Sequence, residues 1–231
     1  MANTHDIGDI IISARPFSDY LAQFALTEGD LLNGAILDCP GGASDFAAKI
    51  RVMGGTAVSV DPWYQQSHRA LMQRINQDLE RVKQWTASQP DRFPLDENGV
   101  WHDFHIWQST AHAFLADIKR DRNEDTGYYL SATLPKLPFP EQRFALAVSG
   151  FLLFTYPQHF DLAFHRQAIH ELLRVAREVR LHPLNDSAQN PYPELSNLLE
   201  QLDSDGIVAE FLTVPGQSDV RDTQTLCLKR C

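Results

Sequence analysis

The chain has 231 residues, 43% of them hydrophobic and 22% charged, with 20 Lys plus Arg against 30 Asp plus Glu and a net charge of -10. This composition excludes global disorder, and the length fits one domain with an insertion, able to bury roughly 70% of its unfolded surface without a metal or disulfide staple. The acidic balance disfavours a nucleic-acid partner, and three scattered cysteines, Cys39, Cys227 and Cys231, make neither a disulfide framework nor a CxxC pair, so a cytoplasmic protein is expected.

The first residues, Met1 to Asp6, lack the basic start and apolar core of a signal peptide. Arg15-Pro16-Phe17-Ser18-Asp19-Tyr20 reads as an N-terminal flap or as a capped helix start. Ala35-Ile36-Leu37 is a short buried strand ending at Asp38. The loop Cys39 to Asp45 follows it, and then Phe46, Ala47, Ile50 and Met53 recur at helical spacing. Gly54-Gly55 stops that helix, and Thr56 to Val60 is a second strand ending at Asp61. A strand, a helix and a strand within about thirty residues make a βαβ unit and oblige a parallel sheet.

Residues 62–126 hold all four tryptophans, Trp63, Trp85, Trp101 and Trp107. Leu71, Ile75, Leu79, Val82 and Trp85 predict one amphipathic helix, ended by Gln89-Pro90 and Phe93-Pro94. Ala111, Phe114, Leu115 and Ile118 predict another, running up to Asn123. After them, Tyr128 to Leu130 and Phe144 to Ser149 read as strands. The longest apolar run, Phe144 to Tyr156, is too short to span a bilayer. Ala168 to Ala176 is a helix, Val179 and Leu181 a strand, and Leu195 to Leu202 a helix. Ile207 to Val214 and Thr223 to Lys229 are joined by a connection at Pro215 to Asp219. It is too short for a crossover helix, so these last two strands should pair antiparallel.

The strongest chemical signal is Asp38-Cys39-Pro40-Gly41-Gly42, with Asp61 following 23 positions after Asp38. Glycines let the backbone turn sharply and approach a ligand, and an acid ending the second strand is placed to accept hydrogen bonds from ribose hydroxyls. Asp61 has little structural purpose there, so it is expected to stand without protein partners. A carboxylate at Asp38 would repel a pyrophosphate and suit an ammonium group.

These residues, together with Leu137-Pro138-Phe139-Pro140-Glu141-Gln142-Arg143-Phe144-Ala145-Leu146 and Glu171-Leu172-Leu173-Arg174-Val175, resemble class I S-adenosylmethionine-dependent methyltransferases. They match that family's "LPFPDxSFDLV" stretch and its "E-x-x-R-V-L" helix. The resemblance covers about residues 30–61 and 127–231. It implies a three-layer Rossmann-like α/β fold with seven mostly parallel strands, the last antiparallel; residues 62–126, outside the resemblance, are expected as a helical insertion or lid within a single domain. It also implies S-adenosyl-L-methionine as cofactor. Asp38, Cys39, Pro40, Gly41 and Gly42 would then hold the methionine part and Asp61 the ribose. Pro62 and Trp63 would lie beside the adenine, with Thr133 and Leu134 near its amine and Ser149, Gly150 and Phe151 at the methyl-transfer end.

Departures are visible too. Pro40 replaces the loop's usual first glycine, Thr133 stands where an Asp is common, and no "N-P-P-Y" follows the fourth strand, which weakens a base or amide nitrogen as acceptor. A small-molecule acceptor is expected. Candidate general bases are His102, Asp103 and His105, in the cluster Trp101 to Trp107, and Tyr156 beyond the fourth strand. His112 adds no zinc spacing to them, so no metal is expected. The competing readings are an NAD-dependent oxidoreductase and a non-catalytic cofactor-binding or interaction protein. The oligomeric state is not legible.

Overall fold

The computed structural model describes residues 7–216 and 221–231, so the polar start at 1–6 and most of the turn at 215–219 lie outside the described residues. Seven strands form one sheet: β1 (Ala35–Asp38), β2 (Thr56–Val60), β3 (Tyr129–Leu130), β4 (Phe144–Gly150), β5 (Ala176–His182), β6 (Ile207–Thr213) and β7 (Gln224–Arg230). Their order is β3-β2-β1-β4-β5-β7-β6. The first five are parallel, and β7 runs antiparallel to both β5 and β6. This is the mostly parallel sheet with an antiparallel last strand that the sequence implied. The winding reverses where β1 pairs with both β2 and β4, which opens a crevice beyond the carboxyl ends of those strands.

Strand alternation decides the two outer layers. Ile36, Leu146 and Val148 face α1 (Phe17–Gln23) and α3 (Phe46–Val52), where Tyr20, Phe24, Phe46 and Ile50 fill one core. Leu37, Ala147 and Val179 face the other way. There they meet α6 (Leu162–Val175) and α7 (Leu195–Ser204) through Ile169, Leu172, Leu173 and Leu198. Burying a Leu or Ile side chain contributes roughly 1.5–3 kcal/mol, so both helical layers are held mainly by these stripes. Between α1 and β1 a short helix, α2 (Glu28–Leu32), opens with a capping box formed by Thr27 and Asp30. Sequence periodicity gave no sign of it, because five residues are too few to show a period.

The insertion consists of a 3₁₀ turn at Pro62–Gln65, α4 (His68–Ala87) and α5 (Phe104–Glu124). Leu71, Ile75, Leu79 and Val82 of α4 meet Phe104, Trp107, Phe114 and Ile118 of α5 in a third core, shared with Ile12, Ala14 and Tyr129. α5 begins seven residues before Ala111, its first expected apolar marker, so Phe104 to Trp107 form its first turn. Among the described residues no helix is long and apolar enough to cross a membrane.

One buried residue of α4 is charged. Asp78 lies on the stripe with Ile75 and Val82, and its carboxylate accepts from the Ile12 N–H at 2.9 Å. Arg74 and Arg81, one turn to either side, pair with it at 2.7 and 3.0 Å and also donate to the carbonyls of Ile10, Ile7 and Asp9. This triad straps residues 7–12 along α4 and across the mouth of the crevice.

Candidate functional site

The glycine loop after β1 is held from beneath. Asp38 is fully buried, and its carboxylate accepts from the hydroxyls of Ser59 (3.0 Å), Tyr20 (3.2 Å) and Ser44 (3.4 Å). Burial pushes its pKa up to about 7. The sequence reading aimed this carboxylate at a ligand's ammonium; the structure turns it inward, because three hydroxyls from α1, the loop and β2 converge on it below the cavity. Gly41 is likewise internal. A Cβ there would lie 2.6 Å from the Tyr64 hydroxyl and 2.8 Å from Ser59 Cβ, so the glycine is needed for packing. Ser149, expected at the methyl-transfer end, is buried within β4 and does not reach the cavity wall.

Above the loop, at the carboxyl ends of β1, β2 and β4, lies a cavity. Ten of the residues singled out from sequence line it: Cys39, Pro40 and Gly42 from the loop, Asp61, Pro62 and Trp63 beyond β2, Thr133 and Leu134 beyond β3, Gly150 ending β4 and Phe151 after it. Its remaining wall includes the strap residues Ile10 to Ser13 and, from the α6 side, Phe160 and Phe164. Gly42 has a positive φ of 56°, and a Cβ there would lie 2.7 Å from the Ser13 carbonyl; the strap closes against the loop only because this residue is glycine.

Asp61 is buried, and its carboxylate already accepts from the Gly42 N–H at 3.3 Å and the Trp63 N–H at 2.9 Å. The expectation that it stands without protein partners is therefore corrected: it caps the 3₁₀ turn and ties that turn to the glycine loop. Burial raises its pKa to about 6, and the two N–H donors oppose the rise. At neutral pH it is an ionised acceptor facing the cavity. Two N–H groups leave it further lone-pair capacity for a pair of hydroxyls.

A second cavity adjoins the first, sharing Ile11, Ser13 and Phe151 as a common wall. Its sides are aromatic: Trp85 and Phe93 at the end of α4, Trp101 and Trp107 around the start of α5, Phe151 and Tyr156 beyond β4. Phe151 has φ of 53°, a left-handed conformation that costs a non-glycine residue roughly 1–2 kcal/mol, and its N–H is held by the His182 carbonyl at 2.7 Å. The Arg15 guanidinium lies against the Phe151 ring, with the Trp107 ring centroid 4.9 Å away. Its Nε is buried without a hydrogen-bond partner. Two more orphaned atoms belong to this wall, Thr155 Oγ1 and Gln189 Oε1.

No family model matches the chain. An uncharacterised protein of Methanocaldococcus jannaschii is 28% identical over 186 residues, 78% of this chain and 80% of that one. Among solved structures, the chain is similar to the magnesium protoporphyrin IX methyltransferase of Synechocystis, which was solved with bound S-adenosylmethionine. That match has 11% identity, 88% of this chain and 73% of that one covered, and a TM-score of 0.45. It is also similar to a SAM-dependent methyltransferase of Aquifex aeolicus, at 14% identity, 91% and 90% coverage and a TM-score of 0.44.

The other sequence-derived candidates are dispersed. His102 and His105 are exposed, and His105 Nδ1 lies 3.0 Å from the His102 carbonyl. Neither they nor Asp103 line either cavity, and His112 is on the exposed face of α5. Of the four weak catalytic candidates, Tyr156 is the one on a cavity wall. Its buried hydroxyl accepts from the Ile11 N–H at 3.3 Å, and burial pushes its pKa up to about 12, so it keeps its proton. Arg15 belongs to the segment that the sequence offered as an N-terminal flap, whereas the strap residues Ile7 to Ser13 were not singled out for the site. The signal that could have found the strap is Asp78 itself, an acid on an apolar helical stripe flanked by arginines at i-4 and i+3.

Proposed function

We propose that the protein is an S-adenosyl-L-methionine-dependent methyltransferase acting on a small-molecule acceptor. The observation that carries this reading is the pair of adjoining cavities at the winding reversal of the sheet, one bounded by the glycine loop and the Asp61 carboxylate, the other aromatic, with Phe151 in the wall between them. Bound in the first, the cofactor would supply a sulfonium methyl open to in-line displacement. Asp61 would orient it by accepting from the ribose hydroxyls, Trp63 and Leu134 would flank the adenine, and the Cys39 to Gly42 backbone would hold the amino-acid end. The insertion and strap would exclude water and align the acceptor, and alignment alone can lower the barrier by several kcal/mol.

The oxidoreductase reading needs a pyrophosphate on the first turn of α3. Against it, the Ala43 N–H is already taken by the Ser13 carbonyl, and Asp45, at the start of that helix, accepts from the Phe17 N–H at 2.7 Å. Calorimetric titration with S-adenosylhomocysteine and with NAD tests the reading. Saturable binding of the first alone is expected, and binding of NAD alone would overturn it. Transfer of labelled methyl from the cofactor to a pooled metabolite extract separates an enzyme from a non-catalytic binder.

A further inference from the structure

The wall where the two cavities meet holds a cation, Arg15, with the Asp19 and Asp222 carboxylates in electrostatic reach of it. Arg15 lies there, two residues after Ser13 and against Phe151, both of which face the two cavities. Tyr156 keeps its proton. The two carboxylates of the aromatic cavity are held at the β5 side: Asp186 by the backbone and side-chain amides of Asn190 at 2.7 and 2.9 Å, and Asp222 by Gln189 Nε2 at 3.1 Å and Asn185 Nδ2 at 3.3 Å. Arg15, stacked between Phe151 and Trp107, keeps a buried Nε with no acceptor. Burial lowers its pKa to about 10, which leaves it charged at neutral pH. An aromatic chamber with a buried N–H donor that has no hydrogen-bond partner, at the wall it shares with the first cavity, calls for an aromatic ring bearing an oxyanion.

We propose that the methyl acceptor is an aromatic oxygen acid, a phenol or an aromatic carboxylic acid, whose oxyanion rests on the Arg15 guanidinium at the junction of the cavities. This rests on the methyltransferase reading above. The acceptor loses its proton to solvent, and Arg15 holds the resulting anion, so no general base takes part. The oxygen lone pair then forms the new O–C bond as the C–S bond breaks, and its electron pair passes to sulfur; the sulfonium becomes a neutral thioether. Aliphatic alcohols, too weakly acidic to ionise in this way, and protonated amines, repelled by Arg15, are rejected.

A nitrophenol, whose yellow anion reports its own ionisation, tests the proposal without turnover. Titrated into the full-length protein one pH unit below the free phenol's pKa, it should bind with its anion band enhanced, its ionisation shifted at least tenfold. Arg15→Gln should abolish the shift and Arg15→Lys restore part of it, with thermal melting confirming that each variant is folded. S-adenosylhomocysteine and 5′-methylthioadenosine, which lacks the amino-acid end, are titrated into the same proteins. If Arg15→Gln weakened the first and spared the second, the oxyanion on Arg15 would be the cofactor's own carboxylate, and the proposal would fall. It would equally fall if the nitrophenol did not bind, bound as the neutral phenol, or ionised identically in wild type and Arg15→Gln. An Arg15-dependent shift in a protein that binds neither nucleoside would uphold the oxyanion site and overturn the methyltransferase reading instead.

Discussion

The two cavities meet at Phe151 and are built by opposite means. The first is floored by backbone and strand ends, a glycine loop propped by the buried Asp38, a carboxylate capping a turn, Ala132 and Thr133 beyond β3 and Gly150 ending β4, with Trp63, Phe160, Phe164 and the strap isoleucines closing it. The aromatic one is made of large side chains gathered from the strap, both insertion helices and the loops after β4 and β5. Construction from backbone recognises what every user of a cofactor shares, the same hydroxyls and the same ring. Construction from side chains recognises one acceptor and can be rebuilt by substitution without disturbing the sheet. Damage to one cavity should therefore leave binding in the other intact, whereas damage to the shared wall or the strap should reach both.

Phe151→Gly makes the largest difference. It removes the shared ring and relieves a left-handed backbone, so turnover should fall by at least a hundredfold while the melting temperature moves by no more than about 4 °C, the equivalent of roughly 1 kcal/mol in a chain of this size. Steady-state kinetics and thermal melting check both halves. Asp61→Asn comes next. It removes charge from hydrogen bonds worth about 1.5–3 kcal/mol, so affinity for S-adenosylhomocysteine should drop at least tenfold while nitrophenol binding is unchanged. Asp61→Ala is the poorer probe, because it strands the Gly42 and Trp63 N–H groups and should also lower stability.

Asp78→Asn should loosen the strap and weaken both ligands together, by about three- to fivefold. It should cost about 2 kcal/mol of stability, below the figure for a fully buried pair because both arginines are partly exposed. Loss of affinity for only one ligand would show that the strap closes one cavity alone. The smallest effect belongs to Asp38. Its folded pKa near 7 exceeds the unfolded value of 3.8, so between pH 4 and 7 the folded protein holds a proton the unfolded chain has released. Its contribution to stability therefore falls as the pH rises through that window. Asp38→Asn removes the titration. Its melting temperature should gain on wild type from pH 4 to 7, and a constant difference across that range would show that Asp38 is ionised throughout.

Sequence pattern made the first cavity legible because its parts are local. Gly42 and Asp61 stand one βαβ unit apart, and period-two strands and period-3.6 helices on either side leave little choice of topology. The same reasoning misjudged Asp38. Position along the strand says where a carboxylate is, and only the arrival of Tyr20, Ser44 and Ser59 from three other segments says which way it turns. Little of the aromatic cavity could be read, since its residues run from Ile7 to Asp222 and carry no shared spacing. His102 and His105 drew attention as chemically able side chains, yet helical phase puts Phe104 and Trp107 inward and His105 in solvent, and His102 is exposed in the turn before the helix. Arg15 had the opposite fate. The segment Arg15 to Tyr20 read equally as a flap or as a helix start, and only the approach of the Trp107 ring shows that Arg15 itself turns into the aromatic cavity.

A crystal structure with S-adenosylhomocysteine bound would show whether the two cavities are halves of one active site. The expected result places both ribose hydroxyls on the Asp61 carboxylate and the thioether sulfur at the wall formed by Ile11, Ser13 and Phe151, pointing into the aromatic cavity. A nucleoside whose sulfur lies instead toward Phe160 and Phe164, or one seated in the aromatic cavity itself, would contradict it.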